Sequence, residues 1–211
     1  IEKNLKTLAM SDIPLAFGNK AFLSYVHIKG DPFSPALVRF KSGWDGETVC
    51  DTLKRWPAGT VSTSETTISE VVDYVGENFK SDHYGLVLSS HGTGWLPEGY
   101  YNSGEKAVPA SFGSEKNGSE TVELSITGLR HSLEKMHFDY IVFDACLMGG
   151  VETAYEMKDI CNYVIASSAE ILDEGMDYKT LTRCFLSDGD YLFEEYCDSY
   201  VDMYRHNGGD D

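Results

Sequence analysis

The chain has 211 residues, of which 42% are hydrophobic and 24% charged, a balance typical of a globular domain and not of a disordered one. Its 17 basic and 34 acidic residues give a formal net charge of −17, which argues against nucleic acid and anionic membranes as partners. No apolar run approaches the roughly 18 residues of a membrane span, and the length fits one α/β domain.

The first part of the chain predicts one helix and two strands. The helix is expected over 1–17, and the strands are expected over 21–28 and 37–40. Residues 43–63 contain several glycines and a proline and are interpreted as a loop.

The clearest helix is predicted over 65–79. Its apolar residues recur three and four positions apart, as on one face of a helix, and Ser64 is the expected N-cap. A strand over 83–90 follows. A strand on each side of a helix predicts a right-handed crossover and parallel pairing.

The rest of the chain alternates between helices and strands after one long interruption. Residues 92–123 are rich in glycine and are interpreted as an irregular loop, which in a compact domain is usually functional. The pattern after it predicts, in order, a helix over 125–136, a strand over 140–143, a helix over 151–160, a strand over 162–168, a loop over 167–175, and helices over 178–186 and 191–204.

The five cysteines give no sign of a metal site. Their number is odd and no Cys-x-x-Cys spacing occurs, which argues against zinc and against a disulfide-stapled scaffold. The sequence therefore requires no metal and no other cofactor.

Two of the predicted strands run into a chemically reactive side chain. Cys146 follows the apolar run that ends at Phe143, and His91 follows the one that ends at Leu88. Ligands of open parallel sheets bind outside the carboxyl ends of the strands, so the thiol and the imidazole are expected to face one cleft. A cysteine with a separate histidine base is the arrangement of thiol catalysis. The alternative is a buried structural cysteine and a histidine that caps a turn.

The neighbours of these two residues suggest further roles. The backbone N–H groups of Gly92 and Cys146 are the expected oxyanion donors, and glycine after the histidine lets a substrate approach closely. Asp144 precedes Cys146 by two residues, so on a strand the two side chains face the same side. The alternative role of Asp144 is that of a structural hydrogen-bond acceptor.

Two blocks give a specific resemblance. Ser-His-Gly-Thr-Gly-Trp (90–95) and Phe-Asp-Ala-Cys-Leu-Met-Gly-Gly-Val-Glu-Thr-Ala-Tyr-Glu (143–156) resemble the signature blocks of the clostripain family of cysteine peptidases, relatives of caspases and gingipains. The resemblance implies a single peptidase domain over 1–211 with an α/β, caspase-like three-layer sandwich, in which helices flank a mostly parallel sheet. In the family a strand precedes the segment that Glu2-Lys3-Asn4-Leu5 resembles, so that strand is expected to be absent from this sequence.

The resemblance also implies the activity. The chain is expected to be an endopeptidase that uses a Cys146/His91 dyad on protein or peptide substrates with basic residues. In the family, acidic residues line the first specificity pocket and select Arg or Lys, and the candidates here are Asp144, Asp173 and Glu174. The resemblance further implies a secreted, periplasmic or cell-surface location in a bacterium, and it leaves calcium open as a cofactor.

Self-cleavage is a further expectation. Relatives are processed between the two blocks, and 92–123 contains two basic residues, Lys106 and Lys116. Cleavage is expected first after Lys106 and second after Lys116, because exposed loops are preferred sites of nicking. The alternative is an ordered loop that is never cleaved.

Two other function classes remain to be weighed. A catalytically silent binding module on the same fold is disfavoured by the intact His91 and Cys146, and thiol labelling separates it from a peptidase. A nucleotide-binding domain ranks last, because neither Gly-x-Gly-x-x-Gly nor a phosphate loop follows a strand.

Overall fold

The computed structural model describes residues 2–14, 18–28, 34–43, 45–97, 110–117, 119–172, 175–186 and 189–207. Contacts divide the chain into two compact units, Ile1–Trp56 with Glu174–Asp211, and Pro57–Asp173. The predicted single domain over 1–211 stays a prediction, and each unit is described by itself.

The strands and helices of the described residues follow in chain order. The strands are β1 Phe22–Val26, β2 Ala36–Ser42, β3 Thr48–Arg55, β4 Gly85–Ser89, β5 Gly92–Pro97, β6 Ala110–Asn117, β7 Glu120–Ser125, β8 Phe138–Asp144 and β9 Cys161–Ile165. The helices are α1 Glu2–Ala9, α2 Glu65–Asn78, α3 Ile126–Leu133, α4 Val151–Met157, α5 Tyr178–Leu186 and α6 Phe193–Asn207.

The first unit holds the antiparallel sheet β1-β2-β3 with α1, α5 and α6. The helix predicted over 1–17 ends at Ala9. The amide and the hydroxyl of Ser11 both donate to the carbonyl of Leu8, at 3.0 and 2.6 Å, and close the last turn. Pro14 also lacks the N–H that a continuing helix needs. Residues 15–17 lie outside the described residues.

The prediction of a loop over 43–63 was wrong for its central part, which forms strand β3. It pairs with β2 in a register that runs from Ala36–Arg55 to Ser42–Thr48. None of its side chains is buried and several are charged, so the segment lacks the apolar alternation by which a strand is recognised. Pairing with β2 forms the strand where local preference does not.

The second unit is built on the parallel sheet β4-β8-β9. Helix α2 confirms the predicted helix and its N-cap, because the amide of Thr67 donates to the Ser64 hydroxyl at 3.2 Å. Helix α3 is capped in the same way by Ser125, which accepts from Gly128 at 3.0 Å. The core of this unit joins β8 to the helices, with Leu129, Leu133, Ile141, Phe143, Met148 and Met157 fully buried.

The parallel pairing predicted across α2 is not made among the described residues. The strands that precede α2 belong to the antiparallel sheet of the first unit, and β4 pairs with β8 instead. The α/β class is confirmed, and the sheet that carries the reactive residues is parallel. The other two sheets in the described part of the chain are antiparallel.

The segment 92–123 is not an irregular loop where the structure describes it. Strands β5, β6 and β7 form an antiparallel sheet, and the register of β6 with β7 runs up to the pair Asn117–Glu120. The two strands of this hairpin carry polar residues at their tip, so the sequence shows no apolar run there. Residues 98–109 lie outside the described residues.

Candidate active site

The ends of β4 and β8 bring the two reactive residues to one edge of the sheet. The strands pair in parallel from Gly85–Tyr140 to Ser89–Asp144. His91 and Cys146 each follow the last pair by two residues, and neighbouring strands lie about 4.8 Å apart. The amide of Ser90 donates to the carbonyl of Asp144 at 3.2 Å, so the segments that follow β4 and β8 stay together just beyond the sheet.

The backbone after His91 packs directly on the backbone around Cys146. A Cβ on Gly92 would lie 2.5 Å from the carbonyl oxygen of Cys146 and 2.9 Å from Sδ of Met148. Gly94 has φ +58°, and a Cβ there would lie 2.1 Å from the carbonyl oxygen of Leu147. Both positions therefore need glycine, which lets the backbone after His91 come into contact with the backbone around Cys146.

Gly94→Ala is expected to destabilise the protein by about 1–3 kcal/mol, because it adds backbone strain and a clash with Leu147. It should also slow alkylation of Cys146 by iodoacetamide, since the backbone beside the thiol must shift. The matched control is Gly59→Ala, whose added methyl meets no atom within 4 Å. Equal unfolding free energies and equal alkylation rates for the two variants would contradict this packing.

The thiol of Cys146 is half-buried and is held by the backbone of Ile171. The amide of Ile171 donates to Sγ at 3.2 Å, and the thiol donates to the carbonyl of Ile171 at 3.6 Å. Within the part of the chain that the structure describes, no hydrogen bond joins the thiol to the exposed His91 side chain. Catalytic hydrogen bonds are often long or poorly aligned until substrate binds, so this geometry is compatible with the pair.

Asp144 lies at the end of β8 and is 5% exposed. Its Oδ2 accepts a hydrogen bond from the exposed Ser89 hydroxyl at 2.8 Å, across the last register pair of β4 and β8. A buried carboxylate needs such donors. The contact suits both the specificity role and the structural role, so the role of Asp144 stays a prediction. Asp173 and Glu174 lie outside the described residues.

The two candidate cleavage residues differ in what surrounds them. Lys106 lies outside the described residues. The backbone of Lys116 lies in β6 and pairs with Thr121 of β7 near the end of the hairpin. A peptide bond held in a sheet ladder must be freed before a protease can act on it, and Lys116 is therefore the poorer candidate.

The other four cysteines have thiols of raised pKa. Burial is the cause for the buried Cys161, and it is the largest cause for the buried Cys184. Desolvation is also the largest cause of the raised pKa of Cys50 and Cys197. The negative charge of the adjacent Asp51 raises the pKa of Cys50 further, and that of Asp198 raises the pKa of Cys197. A raised pKa leaves little thiolate at neutral pH, so these four thiols are poor nucleophiles there.

Some features of the site had no sequence signal. The strand-end placement of His91 and Cys146 followed from their apolar runs, but the contact between Cys146 and Ile171 uses only backbone atoms of Ile171. Ser89 could have been inferred from a register that puts it opposite Asp144. In the described ranges, no three His, Cys, Asp or Glu side chains are grouped so as to hold a metal ion. No helix in those ranges is long and apolar enough to cross a membrane.

Comparisons with known proteins agree on one family. The family model described as the clostripain family, peptidase C11, matches residues 44–211. Clostripain of Hathewaya histolytica is 27% identical over 116 residues, which are 53% of this chain and 22% of that protein.

Two solved structures resemble this one over 97% of the chain. One is an inactive zymogen C11 protease from Parabacteroides distasonis, with a TM-score of 0.76 and 26% identity. The other is a secreted C11 cysteine protease from Bacteroides thetaiotaomicron in complex with an irreversible peptide inhibitor, with a TM-score of 0.79 and 24% identity, a likeness of fold. The chain spans 54% of each of those two structures.

Proposed function

The chain belongs to the clostripain family of cysteine peptidases, and on that premise we propose that it hydrolyses peptide bonds after Arg or Lys. Cys146 is the proposed nucleophile and His91 the proposed base. The observation that carries the proposal is the parallel pairing of β4 with β8, which sets the two residues at equivalent positions beyond neighbouring strand ends.

The proposed reaction follows thiol acyl transfer. The proton of Sγ passes to the imidazole of His91, and the electron pair left on sulfur attacks the substrate carbonyl carbon. The carbonyl π electrons move onto oxygen. When they return, the C–N bond breaks and the amine leaves with the proton from the imidazolium. Water then attacks the carbonyl carbon of the thioester, one of its protons passes through His91 to the sulfur as the C–S bond breaks, and the acid product leaves.

The oxyanion donors we propose are the backbone N–H groups of Gly92 and Cys146. The carbonyl of His91 accepts a hydrogen bond from the amide of Gly113 in β6 at 2.7 Å. His91 and Gly113 are therefore a hydrogen-bonded pair at the start of the β5–β6 ladder. In an antiparallel ladder the adjacent residue points its N–H the other way. By this alternation the N–H of Gly92 faces away from β6, which supports its use by a substrate.

The preference for a basic residue rests on Asp144. Its carboxylate lies two residues before Cys146, is buried, and accepts a hydrogen bond from the hydroxyl of the exposed Ser89. A buried carboxylate facing an ammonium or guanidinium group discriminates against neutral side chains, which would supply no counter-charge. The net charge of −17 also favours the approach of basic peptides.

A panel of fluorogenic peptides that differ only in the residue before the scissile bond tests this function. Turnover is expected with Lys and Arg and is expected to be much slower with Asp, Leu or Ala. Equal or better cleavage after a neutral or acidic residue would refute the specificity. No turnover of any peptide, together with an unreactive Cys146, would favour the silent binding module.

Self-cleavage after Lys106 is proposed as the activating step. Purified wild-type protein is expected to give two fragments, one ending at residue 106 and the other beginning at residue 107. Cys146→Ala and Lys106→Gln are each expected to give one intact chain. Lys116→Gln is the matched control and is expected to be cut like wild type, because that residue lies in a strand. An intact but fully active wild-type protein, seen by mass spectrometry, would show that cleavage is not required.

Location and calcium stay proposals drawn from the family. We propose a secreted, periplasmic or cell-surface protein of a bacterium. The described residues show no group of three carboxylate, histidine or cysteine side chains for calcium, so no site and no catalytic step are assigned to the ion.

A further inference from the structure

A short segment after β9 runs alongside the turn that carries Cys146. The amide of Leu147 donates to the carbonyl of Ala169 at 3.0 Å, and the amide of Gly149 donates to the carbonyl of Ser167 at 2.8 Å. From the first of these bonds to the second, the donor moves from residue 147 to 149 while the acceptor moves from 169 to 167. This is the register of two antiparallel segments. We call 167–171 the strap and 145–149 the nucleophile turn.

Continued by two residues, this register sets Ile171 opposite Ala145, next to Cys146. Ile171 follows Ala169 by two residues, and its N–H donates to Sγ of Cys146 at 3.2 Å. The strap is packed tightly, because a Cβ on Gly149 would lie 2.7 Å from the amide nitrogen of Ser168. The nucleophile turn is also conformationally fixed, with Leu147 in the left-handed region at φ +62°. The donor at Ile171 is thus held in place by the two contacts before it.

We propose that the backbone N–H of Ile171 is a catalytic group that stabilises the thiolate of Cys146. At rest the thiol donates to the Ile171 carbonyl and accepts from the Ile171 amide. When the proton passes to His91, the bonding electrons stay on sulfur, the carbonyl loses its donor and the amide keeps its acceptor. The inference rests on the proposed role of Cys146 as nucleophile.

This hydrogen bond strengthens as the sulfur gains charge. A hydrogen bond to an ionised partner is roughly twice as strong as one between neutral groups. An interaction that is stronger with the charged sulfur than with the thiol favours the step that forms it. Because the donor is a backbone group held by the strap, the side chain at 171 has no part in it.

Proline substitution isolates the N–H. Ile171→Pro removes the donor, and Ile171→Ala keeps it while changing the side chain. Leu172→Pro is the matched proline control, because that side chain is 58% exposed and its amide makes no hydrogen bond within the described part of the chain. Each variant is made in the full chain and is compared with its own Cys146→Ala version.

One readout reports on the sulfur without any peptide substrate. It is the rate of Cys146 alkylation by iodoacetamide, assigned by peptide mapping, with the Cys146→Ala version of each variant as the background. We expect Ile171→Pro to lower this rate by about tenfold, because it loses a charge-assisted hydrogen bond, whereas Ile171→Ala and Leu172→Pro stay near wild type.

The outcomes separate this inference from the proposed function. Wild-type values for Ile171→Pro, or equal losses in Leu172→Pro, would overturn the role of the Ile171 amide. If no peptide is cleaved but the three variants behave as expected, the peptidase proposal fails and the contact with sulfur stands.

Hydrogen exchange provides a measurement that does not depend on how the proline variants fold. The Ile171 amide is expected to exchange faster in Cys146→Ala than in wild type, because the acceptor sulfur is gone. The amides of Leu147 and Gly149 bond to main-chain carbonyls and are expected to keep their rates. Unchanged exchange at Ile171 would overturn the inference.

Discussion

Replacing Cys146 with alanine is expected to abolish peptide hydrolysis, with a loss of about four orders of magnitude or more in kcat. His91→Ala is expected to lose about as much, and the double variant no more than either single one, because the two groups act as a unit. The physical reason is that a thiol without a base has no route for its proton, and a base without the thiol has no nucleophile.

The matched control for this prediction is Cys197→Ala. Cys197 is exposed to solvent, and it lies on α6, in the other compact unit. Its removal is expected to leave kcat unchanged. All variants should keep the wild-type circular dichroism spectrum, since the Cys146 and His91 side chains are not core residues. Substantial turnover by Cys146→Ala would show that the dyad is assigned wrongly.

Asp144→Asn is expected to lower kcat/KM for peptides with Lys or Arg by about two to three orders of magnitude. The amide keeps the shape of the carboxylate but leaves the bound cation without a counter-charge. Peptides with a neutral residue before the scissile bond should lose much less. The specificity role therefore predicts a selective loss across the peptide panel.

The matched control is Asp139→Asn, on the same strand. Asp139 lies at the opposite end of β8 and pairs with Nδ1 of His83 at 2.8 Å. The Asp139→Asn substitution removes the same charge as Asp144→Asn and should leave both kcat/KM and selectivity near wild type. If Asp144→Asn instead lowers cleavage of every peptide in parallel and reduces thermal stability, its carboxylate is a structural acceptor for Ser89 and not a specificity group.

The sequence predicted the parts of the molecule that are buried or capped. β8 is an almost uninterrupted apolar run because both of its faces are covered, and α2 has both an apolar stripe and a serine N-cap. These are local signals. They were enough to place His91 and Cys146 beyond strand ends, and the structure brings those ends together.

The sequence did not predict the partly exposed strands or the backbone contacts. β3 and the hairpin of β6 with β7 carry many polar residues, and their pairing with other strands gives them their structure. The strap contact at Ile171 involves a backbone amide that any residue but proline provides. Such features follow from tertiary register, and residue type alone does not reveal them.

The most direct test of the central claim is covalent labelling by a peptide that ends in Lys and carries a thiol-reactive electrophile in place of the scissile bond. We expect one adduct per chain, mapped by mass spectrometry to Cys146, with labelling strongly slowed in His91→Ala. The exposed Cys50 and Cys197 serve as internal controls, because their raised pKa leaves them mostly protonated. An adduct on another cysteine, or equal labelling of wild type and His91→Ala, would contradict the account.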